Sequence, residues 1–394
     1  MDRPLLNRRL AEFGTTIFAE MSALAVRTGA INLGQGFPDT DGPEEVREAA
    51  VRALRDGRGN QYPPGPGIPE LRTAVAAHQE RFYGHLGVSC DPDTEVLVTA
   101  GATEAIAASL LALLEPGDEV IALEPYYDSY AACIAMAGGT RVPVTLRPDP
   151  ESGSYALALD ELRDAVTDRT RLILLNTPHN PTGTVLTRDA LAEVARLACE
   201  RELLVITDEV YEHLVFEGEH LPLASFPGMR ERTVTIGSAG KTFSFTGWKV
   251  GWVTATPELV GAVRSAKQFL TYVSAGPFQY AVAEALALPD SYYTGLRDDL
   301  RAKRDILATG LTDAGFQVFR PSGTYFITTD IRPLGFDDGF AFCRTLPERA
   351  GVVAIPNAVF YDHQDQGAPF VRFAFCKRTD VLNEAATRLK RLAP

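Results

Sequence analysis

The sequence predicts an α/β fold in which a mostly parallel β-sheet lies between helices, followed by a smaller α+β domain. Three observations indicate this class. From about residue 96, short apolar runs rich in β-branched residues alternate with amphipathic stretches. Polar residues follow directly after several of these runs. From about residue 290, a long charged helical stretch precedes short alternating segments. Continuous apolar strands separated by helical periods are typical of a parallel sheet covered on both faces.

The elements of the large domain can be assigned in chain order. The strand EVLVTA leads into the helix TEAIAASLLALLEPGDE, VIALEP into YYDSYAACIAMAGG, and RLILLNTP into TRDALAEVARLACERE, with LLVITDE and TVTIGS as further strands. Polar residues stand just after strand ends at Gly101, Asn180, Asp208 and Ser238. Ligands of open parallel sheets bind outside the carboxyl ends of the strands, so these positions predict the site.

The remaining segments predict the domain organisation. Residues 1–45 form an N-terminal segment that joins the small domain, residues 46–290 form the large domain, and residues 291–394 form the small C-terminal α+β domain. The small domain is indicated by the helical stretch RDDLRAKRDILATGLTDAG and the alternating runs FQVFR, GTYFITTD and FVRFAFC. The stretches INLGQGFPDTDGP and NQYPPGPG are rich in glycine and proline, which is typical of ordered loops that line a site.

Composition excludes several classes of function. The formal net charge of the 394-residue chain is −13, which argues against general affinity for nucleic acid or anionic membranes. No apolar run approaches the roughly 20 residues of a membrane span, and the N-terminus lacks the pattern of a signal peptide. Five scattered cysteines and six histidines show no metal-ligand or disulfide spacing. We therefore expect a cytoplasmic protein without a metal site.

The stretch GSAGKTFSFTGWKVGW raises the question of whether Gly-Lys-Thr binds a nucleotide or whether Lys241 is itself reactive. A phosphate-binding P-loop needs a glycine five residues before this motif, and Thr235 stands there. The residues that follow are aromatic and glycine-rich, with poor helix propensity. The nucleotide interpretation is disfavoured, which leaves a lysine at the end of the apolar strand TVTIGS, beside Ser238 and near Lys249.

Six motifs carry a resemblance to a known family. The segments NLGQGFPD, NQYPPGPG, NTPHNPTG, TDEVYEHLVF, SAGKTFSFTGWKVGW and VRFAFCK occur in the order and approximate spacing of the class I/II pyridoxal-phosphate aminotransferases of fold type I. The similarity runs from about residue 15 onward. It is greatest to the N-succinyldiaminopimelate aminotransferase and kynurenine/glutamine transaminase group. The resemblance implies pyridoxal 5'-phosphate as cofactor and a large domain with a mostly parallel seven-stranded sheet.

The resemblance implies that four residues bind the cofactor ring and its substituents. Lys241 matches the lysine that attaches the cofactor, and its pKa must fall from about 10.4 to near 7, which corresponds to roughly 5 kcal/mol. Burial and the nearby Lys249 could lower it. Asp208 matches the partner of the pyridine nitrogen; from its position alone, a helix cap is an equal alternative. Tyr211 and Asn180 match residues that hydrogen-bond the phenolic oxygen, and taken singly they would be a core tyrosine and a turn.

The resemblance also indicates which residues bind the phosphate of the cofactor. Gly101, Ala102 and Thr103 stand between a strand and a helix, where backbone N–H groups bind anions. Ser238 and Lys249 add a hydroxyl and a charge. Many relatives carry arginine at the position of Lys249, and a lysine there cannot make the bidentate contact with the phosphate that arginine makes. Tyr62 matches a tyrosine that reaches the phosphate from the neighbouring subunit, which implies a homodimer.

Three further residues complete the expected site. Tyr126 matches the aromatic residue that stacks on the cofactor ring. Arg372 matches the arginine that binds the substrate α-carboxylate; an exposed strand arginine is an equal alternative on the residues alone. Gly36 matches a glycine whose backbone approaches the same carboxylate, and His179 is the histidine nearest the site in the chain.

The resemblance implies transfer of an amino group from an amino acid donor to a 2-oxo acid acceptor. N-succinyl-LL-diaminopimelate with 2-oxoglutarate, in lysine biosynthesis, is the expected pair. Kynurenine, glutamine, methionine or aromatic donors and a carbon–sulfur β-lyase activity remain open, because the motifs address only the cofactor and the α-carboxylate. A distal pocket is expected near Phe18, Tyr127 and the stretch FLTYVSAG. A cofactor-sensing DNA-binding protein is disfavoured, since too few residues precede the matched region for a DNA-binding domain.

Overall fold

The computed structural model describes residues 5–14, 16–149 and 153–393. Within these ranges the strands are β1 (Ile31–Asn32), β2 (Val96–Thr99), β3 (Glu119–Glu124), β4 (Thr140–Asp149), β5 (Ser154–Leu157), β6 (Thr170–Asn176), β7 (Leu204–Asp208), β8 (Thr233–Ser238), β9 (Gly251–Thr254), β10 (Gln317–Phe319), β11 (Phe326–Asp330), β12 (Val352–Val353), β13 (Ile355–Pro356) and β14 (Phe370–Ala374). The α-helices are α1 (Ile17–Thr28), α2 (Glu44–Arg55), α3 (Pro69–Tyr83), α4 (Gly101–Leu113), α5 (Asp128–Ala137), α6 (Leu159–Asp164), α7 (Arg188–Glu200), α8 (Ala239–Thr242), α9 (Pro257–Lys267), α10 (Gly276–Leu286), α11 (Asp290–Asp313), α12 (Gly339–Ala350), α13 (Gln364–Gly367) and α14 (Thr379–Leu389).

The large sheet confirms the predicted mostly parallel arrangement. Its strand order in the described part of the chain is β2-β9-β8-β7-β6-β3-β4-β5. The central strands β8, β7, β6, β3 and β4 pair in parallel, whereas β9 runs antiparallel between β2 and β8. An eighth strand, β5, extends the expected seven by pairing antiparallel with the second half of β4. The sequence did not predict β5 because four residues give too short a pattern to recognise.

Helices cover both faces of this sheet, which explains why its strands are continuously apolar. Within β6, Ile173 and Leu175 belong to the apolar cluster on one face, and Leu172 and Leu174 belong to the cluster on the other. Successive side chains of a strand point to opposite faces, so both faces must be apolar when both are buried. The four side chains are at most 1 % exposed.

A second sheet follows the long helix α11. Its order is β10-β11-β14-β13, with antiparallel pairing throughout. The N-terminal segment is tied to this part of the molecule, because β1 pairs in parallel with β12 and the amide of Ala374 donates to the carbonyl of Leu33 at 2.7 Å. The predicted association of the N-terminal segment with the C-terminal region therefore has direct backbone contacts. The boundaries at residues 45 and 290 stay predictions.

The parallel strands bring their carboxyl ends to one edge of the sheet. Asp208 ends β7, Ser238 ends β8, and Gly101 begins α4 two residues after β2. Asn180 follows four residues after the end of β6. The prediction that these positions meet is confirmed, since all four line one cavity. Among the described residues, no helix has the length and apolar character needed to span a membrane.

Candidate active site

A cavity of about 480 Å³ opens at the carboxyl edge of the large sheet. It is walled by the large domain on one side and by the N-terminal segment and β14 on the other. The site residues predicted from the sequence that line it are Gly36, Gly101, Ala102, Thr103, Asn180, Asp208, Tyr211, Ser238, Lys241, Lys249 and Arg372. Phe18 and Tyr127, expected near a distal pocket, line it as well, whereas the stretch FLTYVSAG does not.

The structure does not place Tyr126 in the cavity, which corrects the sequence prediction. The side chain of Tyr126 is buried, and after burial the main cause of its raised pKa is the nearby carboxylate of Asp362. The adjacent Tyr127 lines the cavity instead, with its ring perpendicular to that of Tyr130 at 5.8 Å. The chain turns from β3 into α5 at this point, so neighbouring side chains leave on different sides. We therefore transfer the expected stacking role to Tyr127.

Tyr62 also lies outside the cavity of the single chain. Its side chain is 82 % exposed and packs edge-on against Tyr272, with ring centroids 5.5 Å apart. An exposed aromatic residue at this position is compatible with the expected contribution to a neighbouring subunit. That contribution stays a prediction.

Lys241 lies in the short helix α8, directly after β8. The hydroxyl of Ser238 caps this helix by accepting the Gly240 amide at 3.2 Å, which fixes the chain where Lys241 enters the cavity. The pKa of Lys241 is lowered, chiefly by burial. Cys376 and then Asp208 oppose this decrease of the pKa, whereas Arg372 and, to a smaller extent, Lys249 reinforce it. A lysine in this environment gives up its proton more readily than one in water.

Asp208 is a buried acid that has no cationic partner of its own among the described residues. It is 5 % exposed, accepts the hydroxyl of Tyr130 at 2.6 Å and the amide of Val210 at 3.4 Å, and forms no salt bridge there. Burial raises its pKa to about 6, and the hydrogen bond from Tyr130 counteracts the rise. A turn, not a helix, follows Asp208, so the helix-cap alternative is wrong. A cationic group bound beside this carboxylate would complete its pairing.

The first turn of α4 lies at one end of the cavity and is suited to bind an anion. Gly101, Ala102 and Thr103 line the cavity where the helix begins, and backbone N–H groups at a helix start are unpaired within the helix. Gly101 has φ of +76°, and a Cβ atom there would lie 3.2 Å from Nζ of Lys249. The lysine amine therefore lies over the helix start, where it adds positive charge.

Arg372 projects from β14 into the opposite end of the cavity. It is 1 % exposed, donates to Oδ1 of Asn180 at 3.0 Å and to the carbonyl of Gly34 at 2.9 Å, and has its guanidinium 4.1 Å from the ring centroid of Phe326. Its Nε has no hydrogen-bond partner among the described residues. Burial lowers its pKa to about 10. The exposed-arginine alternative is wrong, and a buried guanidinium with a free donor suits an incoming carboxylate.

Several residues of the cavity were missed by the sequence. Asn176 accepts the Asn180 amide at 2.7 Å and donates to the Asp208 carbonyl at 2.8 Å, so it joins the ends of two strands. Tyr130 anchors Asp208, and Asp128 lines the cavity within reach of the electrostatic field of Arg372. The segment YYDSY, which places three tyrosines and an aspartate at the start of a helix, was a signal for these residues in the sequence. It could not be interpreted without knowing which of the side chains face the cavity.

Two arrangements of histidines bear on the predicted site and on metal binding. His179 turns away from the cavity: its Nδ1 hydrogen-bonds the Thr182 hydroxyl at 2.8 Å, and burial lowers its pKa to about 4. Elsewhere, His78, Glu212 and His213 bring ligand atoms within 4.8 Å of one another, a grouping that sequence spacing did not reveal. The two Nε2 atoms are 2.8 Å apart, which is the distance of a hydrogen bond. Tetrahedral zinc would hold two ring nitrogens about 3.4 Å apart.

The donor set of the cavity fits pyridoxal 5'-phosphate. A lysine with a lowered pKa, an acid awaiting a cationic partner and an anion-binding helix start meet the needs of the aldehyde, the pyridine nitrogen and the phosphate, respectively. The fold and the site thus define a pyridoxal-phosphate-dependent transaminase. The model of the family "Aminotransferase class I and II" matches residues 28–389, and the chain belongs to this family.

The similarity to known proteins extends over nearly the whole chain. The solved structure of N-succinyldiaminopimelate aminotransferase from Mycobacterium tuberculosis is 56% identical, with a TM-score of 0.95, and the match covers 98% of this chain and 100% of that one. Methionine aminotransferase of Escherichia coli is 40% identical, covering 99% of this chain and 100% of the relative. Human kynurenine–oxoglutarate transaminase 3 is 36% identical, covering 97% and 89%.

Proposed function

We propose that this enzyme transfers the amino group of N-succinyl-LL-diaminopimelate to 2-oxoglutarate, a step of lysine biosynthesis. The observation that carries the proposal is the 56% identity over nearly the full length to the Mycobacterium tuberculosis enzyme of that name. Both substrates present a carboxylate next to the reacting carbon, and the buried guanidinium of Arg372 offers a free donor for it.

Substrate binding begins at Arg372. Its other two nitrogens are held by Asn180 and Gly34, so the guanidinium plane is fixed before a carboxylate arrives. A prepositioned planar donor binds a carboxylate with little loss of side-chain entropy. The aromatic rings of Phe18 and Phe326 flank the guanidinium and exclude water from it. This end of the site therefore orients the α-carbon of the donor toward Lys241.

Proton transfer falls to Lys241. When bound, pyridoxal phosphate supplies an electron-withdrawing ring that acidifies the α-carbon of the substrate. The amine of Lys241, with its lowered pKa, accepts the proton from the α-carbon and can return it, acting as base and then as acid. Its Nζ lies 5.7 Å from the ring centroid of Tyr211 and 5.6 Å from that of Tyr325, so the surroundings of the amine are aromatic and have a low dielectric constant.

Asp208 and the opposite end of the cavity hold the charges in place. The carboxylate of Asp208 balances a cation at the pyridine nitrogen, and its hydrogen bonds from Tyr130 and Val210 keep it oriented. The helix start at Gly101, with Lys249 above it, binds the phosphate. Fixed charges at both ends leave Lys241 as the one lysine of the cavity lining that moves a proton.

The functional unit is a homodimer in this proposal. Tyr62, Phe269, Leu270 and Tyr272 are exposed by 82 %, 84 %, 46 % and 52 %, respectively, and Tyr62 contacts Tyr272. Apolar side chains grouped in this way on a surface commonly mark an interface. In the dimer, Tyr62 reaches the phosphate of the neighbouring subunit. A cytoplasmic location is supported by the five cysteines, which are free, as in proteins of a reducing compartment.

A donor panel tests the proposed substrate. Purified enzyme with pyridoxal phosphate is offered N-succinyl-LL-diaminopimelate, kynurenine, glutamine, methionine and aromatic amino acids, each with 2-oxoglutarate, and glutamate formation is measured. The highest kcat/KM is expected for N-succinyl-LL-diaminopimelate. A higher value for methionine or kynurenine contradicts the proposal. Formation of pyruvate and ammonia from a cysteine conjugate without an acceptor would instead identify β-lyase activity.

A Lys241→Ala variant and borohydride trapping test the mechanism. The variant should lose at least about a hundredfold in transamination, because a positioned general base contributes at least that much. Borohydride reduction of the wild-type holoenzyme, followed by peptide mapping, should locate the label on Lys241. A label on another side chain would contradict the proposed linkage.

A further inference from the structure

Tyr325 lies behind the cavity wall and is fixed at both ends. It is 1 % exposed and stands directly before β11. The preceding Thr324 adopts φ of +64° and donates its amide to the Leu214 carbonyl at 2.8 Å. The carbonyl of Tyr325 accepts the Phe375 amide at 2.9 Å. The ring therefore has a defined position between the N-terminal segment, the loop after β7 and β14.

The hydroxyl of Tyr325 holds the loop that lines the carboxylate end. It donates to the carbonyl of Gly36 at 2.7 Å. Gly36 packs so closely that a Cβ atom there would lie 2.4 Å from Cζ of Phe326, and the neighbouring Gly34 carbonyl is the acceptor for Arg372. Loss of the Tyr325 hydroxyl would release this loop beside the guanidinium.

The same side chain faces the cofactor end. The rings of Tyr211 and Tyr325 are perpendicular, with centroids 5.3 Å apart, and Nζ of Lys241 lies 5.6 Å from the centroid of Tyr325. The ring of Tyr325 therefore packs edge-on against the phenol of Tyr211, which lines the cavity, and limits the positions that this phenol can take.

We propose that Tyr325 is a positioning residue that joins the two ends of the active site, with its hydroxyl donating to Gly36 and its ring packed edge-on against Tyr211. Tyr325 does not line the cavity, so it acts through these two residues and not by touching the substrate. The inference rests on the assigned cofactor and not on the proposed donor. Any amino acid that the enzyme accepts can serve in the test.

The test compares Tyr325→Phe with Tyr293→Phe as a matched control. Tyr293 is also buried and donates to a backbone carbonyl, that of Leu286 at 3.1 Å, but it lies outside the cavity. For Tyr325→Phe we expect KM for the amino donor to rise about three- to tenfold, the effect of one lost hydrogen bond. The pH midpoint of the visible absorption change of the holoenzyme should stay in place, because phenylalanine retains the ring that packs against Tyr211.

A second variant separates the two contacts. Tyr325→Leu removes the ring as well as the hydroxyl, so it should raise KM through Gly36 as Tyr325→Phe does and should also move the absorption midpoint through Tyr211. Unchanged KM in Tyr325→Phe or an unmoved midpoint in Tyr325→Leu overturns the proposal, as do equal changes in the Tyr293→Phe control, which would indicate a general packing effect. Failure of the donor panel, by contrast, would alter the substrate assignment and leave the absorption titration intact.

Hydrogen–deuterium exchange of the holoenzyme measures the loop directly. The segment that carries Gly36 should exchange faster in Tyr325→Phe than in the wild type, whereas Tyr293→Phe should leave its exchange unchanged. Equal exchange of this segment in Tyr325→Phe and the wild type would contradict a positioning role.

Discussion

Tyr130 donates a hydrogen bond of 2.6 Å to Oδ2 of Asp208 from a position 78 residues earlier in the chain. The bond joins the first turn of α5 to the end of β7, and both residues are buried. In the described part of the structure the carboxylate accepts two hydrogen bonds. The bond from Tyr130 is the only one from a side chain, and the other comes from the amide of Val210. The ionisation of the acid therefore depends on a residue of another βα unit, whose strand β3 is separated from β7 by β6.

Replacing Tyr130 with phenylalanine should weaken the enzyme through Asp208. Without the hydroxyl, burial acts with less opposition and the pKa of Asp208 rises further. A hydrogen bond to a charged group contributes about 1.5–3 kcal/mol, so we expect cofactor affinity to fall roughly tenfold or more. Equilibrium titration of apoenzyme with pyridoxal phosphate measures it. Equal affinity in Tyr130→Phe and wild type would show that Asp208 needs no support from this residue.

The stability of the apoenzyme should fall as pH rises through the folded-state pKa of Asp208. Burial raises that pKa from 3.8 to about 6, so the native state binds more protons than the unfolded state in this window. The difference corresponds to about 3 kcal/mol for this group. Urea unfolding of wild type and Asp208→Asn between these pH values measures it. The pH dependence should be smaller in the variant, and smaller in the holoenzyme, where the cofactor supplies a cation. Identical curves for wild type and variant would refute the prediction.

Tyr127, and not Tyr126, should govern the affinity for the cofactor ring. Tyr127→Ala removes an aromatic surface from the cavity lining, and loss of a stacking partner costs about 0.5–1.5 kcal/mol. The dissociation constant of pyridoxal phosphate should therefore rise roughly two- to tenfold. Tyr126→Leu removes a buried ring that lies outside the cavity, so folded protein of this variant should bind the cofactor with an unchanged constant. A larger loss of affinity in Tyr126→Leu than in Tyr127→Ala would return the stacking role to Tyr126.

Arg372 should be irreplaceable by lysine. Arg372→Lys keeps a positive charge but loses the planar fork that is held by Asn180 and Gly34 while Nε stays free. We expect KM for the amino donor to rise about a hundredfold, with a smaller change in cofactor affinity, because the guanidinium lies at the end of the cavity remote from α4. Steady-state kinetics and cofactor titration measure the two effects. Equal losses in both would indicate disruption of the fold.

The exposed aromatic patch should determine the oligomeric state. Phe269→Asp places a charge among Tyr62, Leu270 and Tyr272 and should yield monomers with low activity. Val26→Asp, at another apolar position that is 85 % exposed, serves as the control and should leave the assembly intact. Sedimentation velocity distinguishes the states. A wild-type monomer with full activity would remove Tyr62 from the phosphate site.

The sequence could predict the large sheet and the residues at the strand ends from local patterns, whereas other cavity residues, such as Tyr211 and Arg372, were predicted only from the family resemblance. Asp208 and Ser238 end apolar strands, and the topology of parallel strands brings such ends together. Tyr126 and Tyr127 could not be told apart, since the orientation of a side chain between a strand and a helix depends on backbone angles that no period reveals. Tyr130 and Tyr325 were missed because each acts through a contact with a residue far away in the chain.

The lowered pKa of Lys241 also shows that sequence patterns do not reveal contacts between distant residues. The expected neighbour, Lys249, acts in the expected direction, but Arg372 has the larger effect. Proximity along the chain suggested the first residue and could not suggest the second. Charges in a folded cavity act according to distance in space, and β14 approaches α8 only after the small domain has packed against the large one.

The hydrogen bond between Arg372 and Gly34 spans 338 positions of the chain, whereas the cofactor end of the cavity is built from residues between 101 and 249. During translation, the segment expected to bind pyridoxal phosphate is therefore synthesised well before β14. We expect a nascent chain to be able to bind the cofactor early, whereas selectivity for an amino acid requires β14.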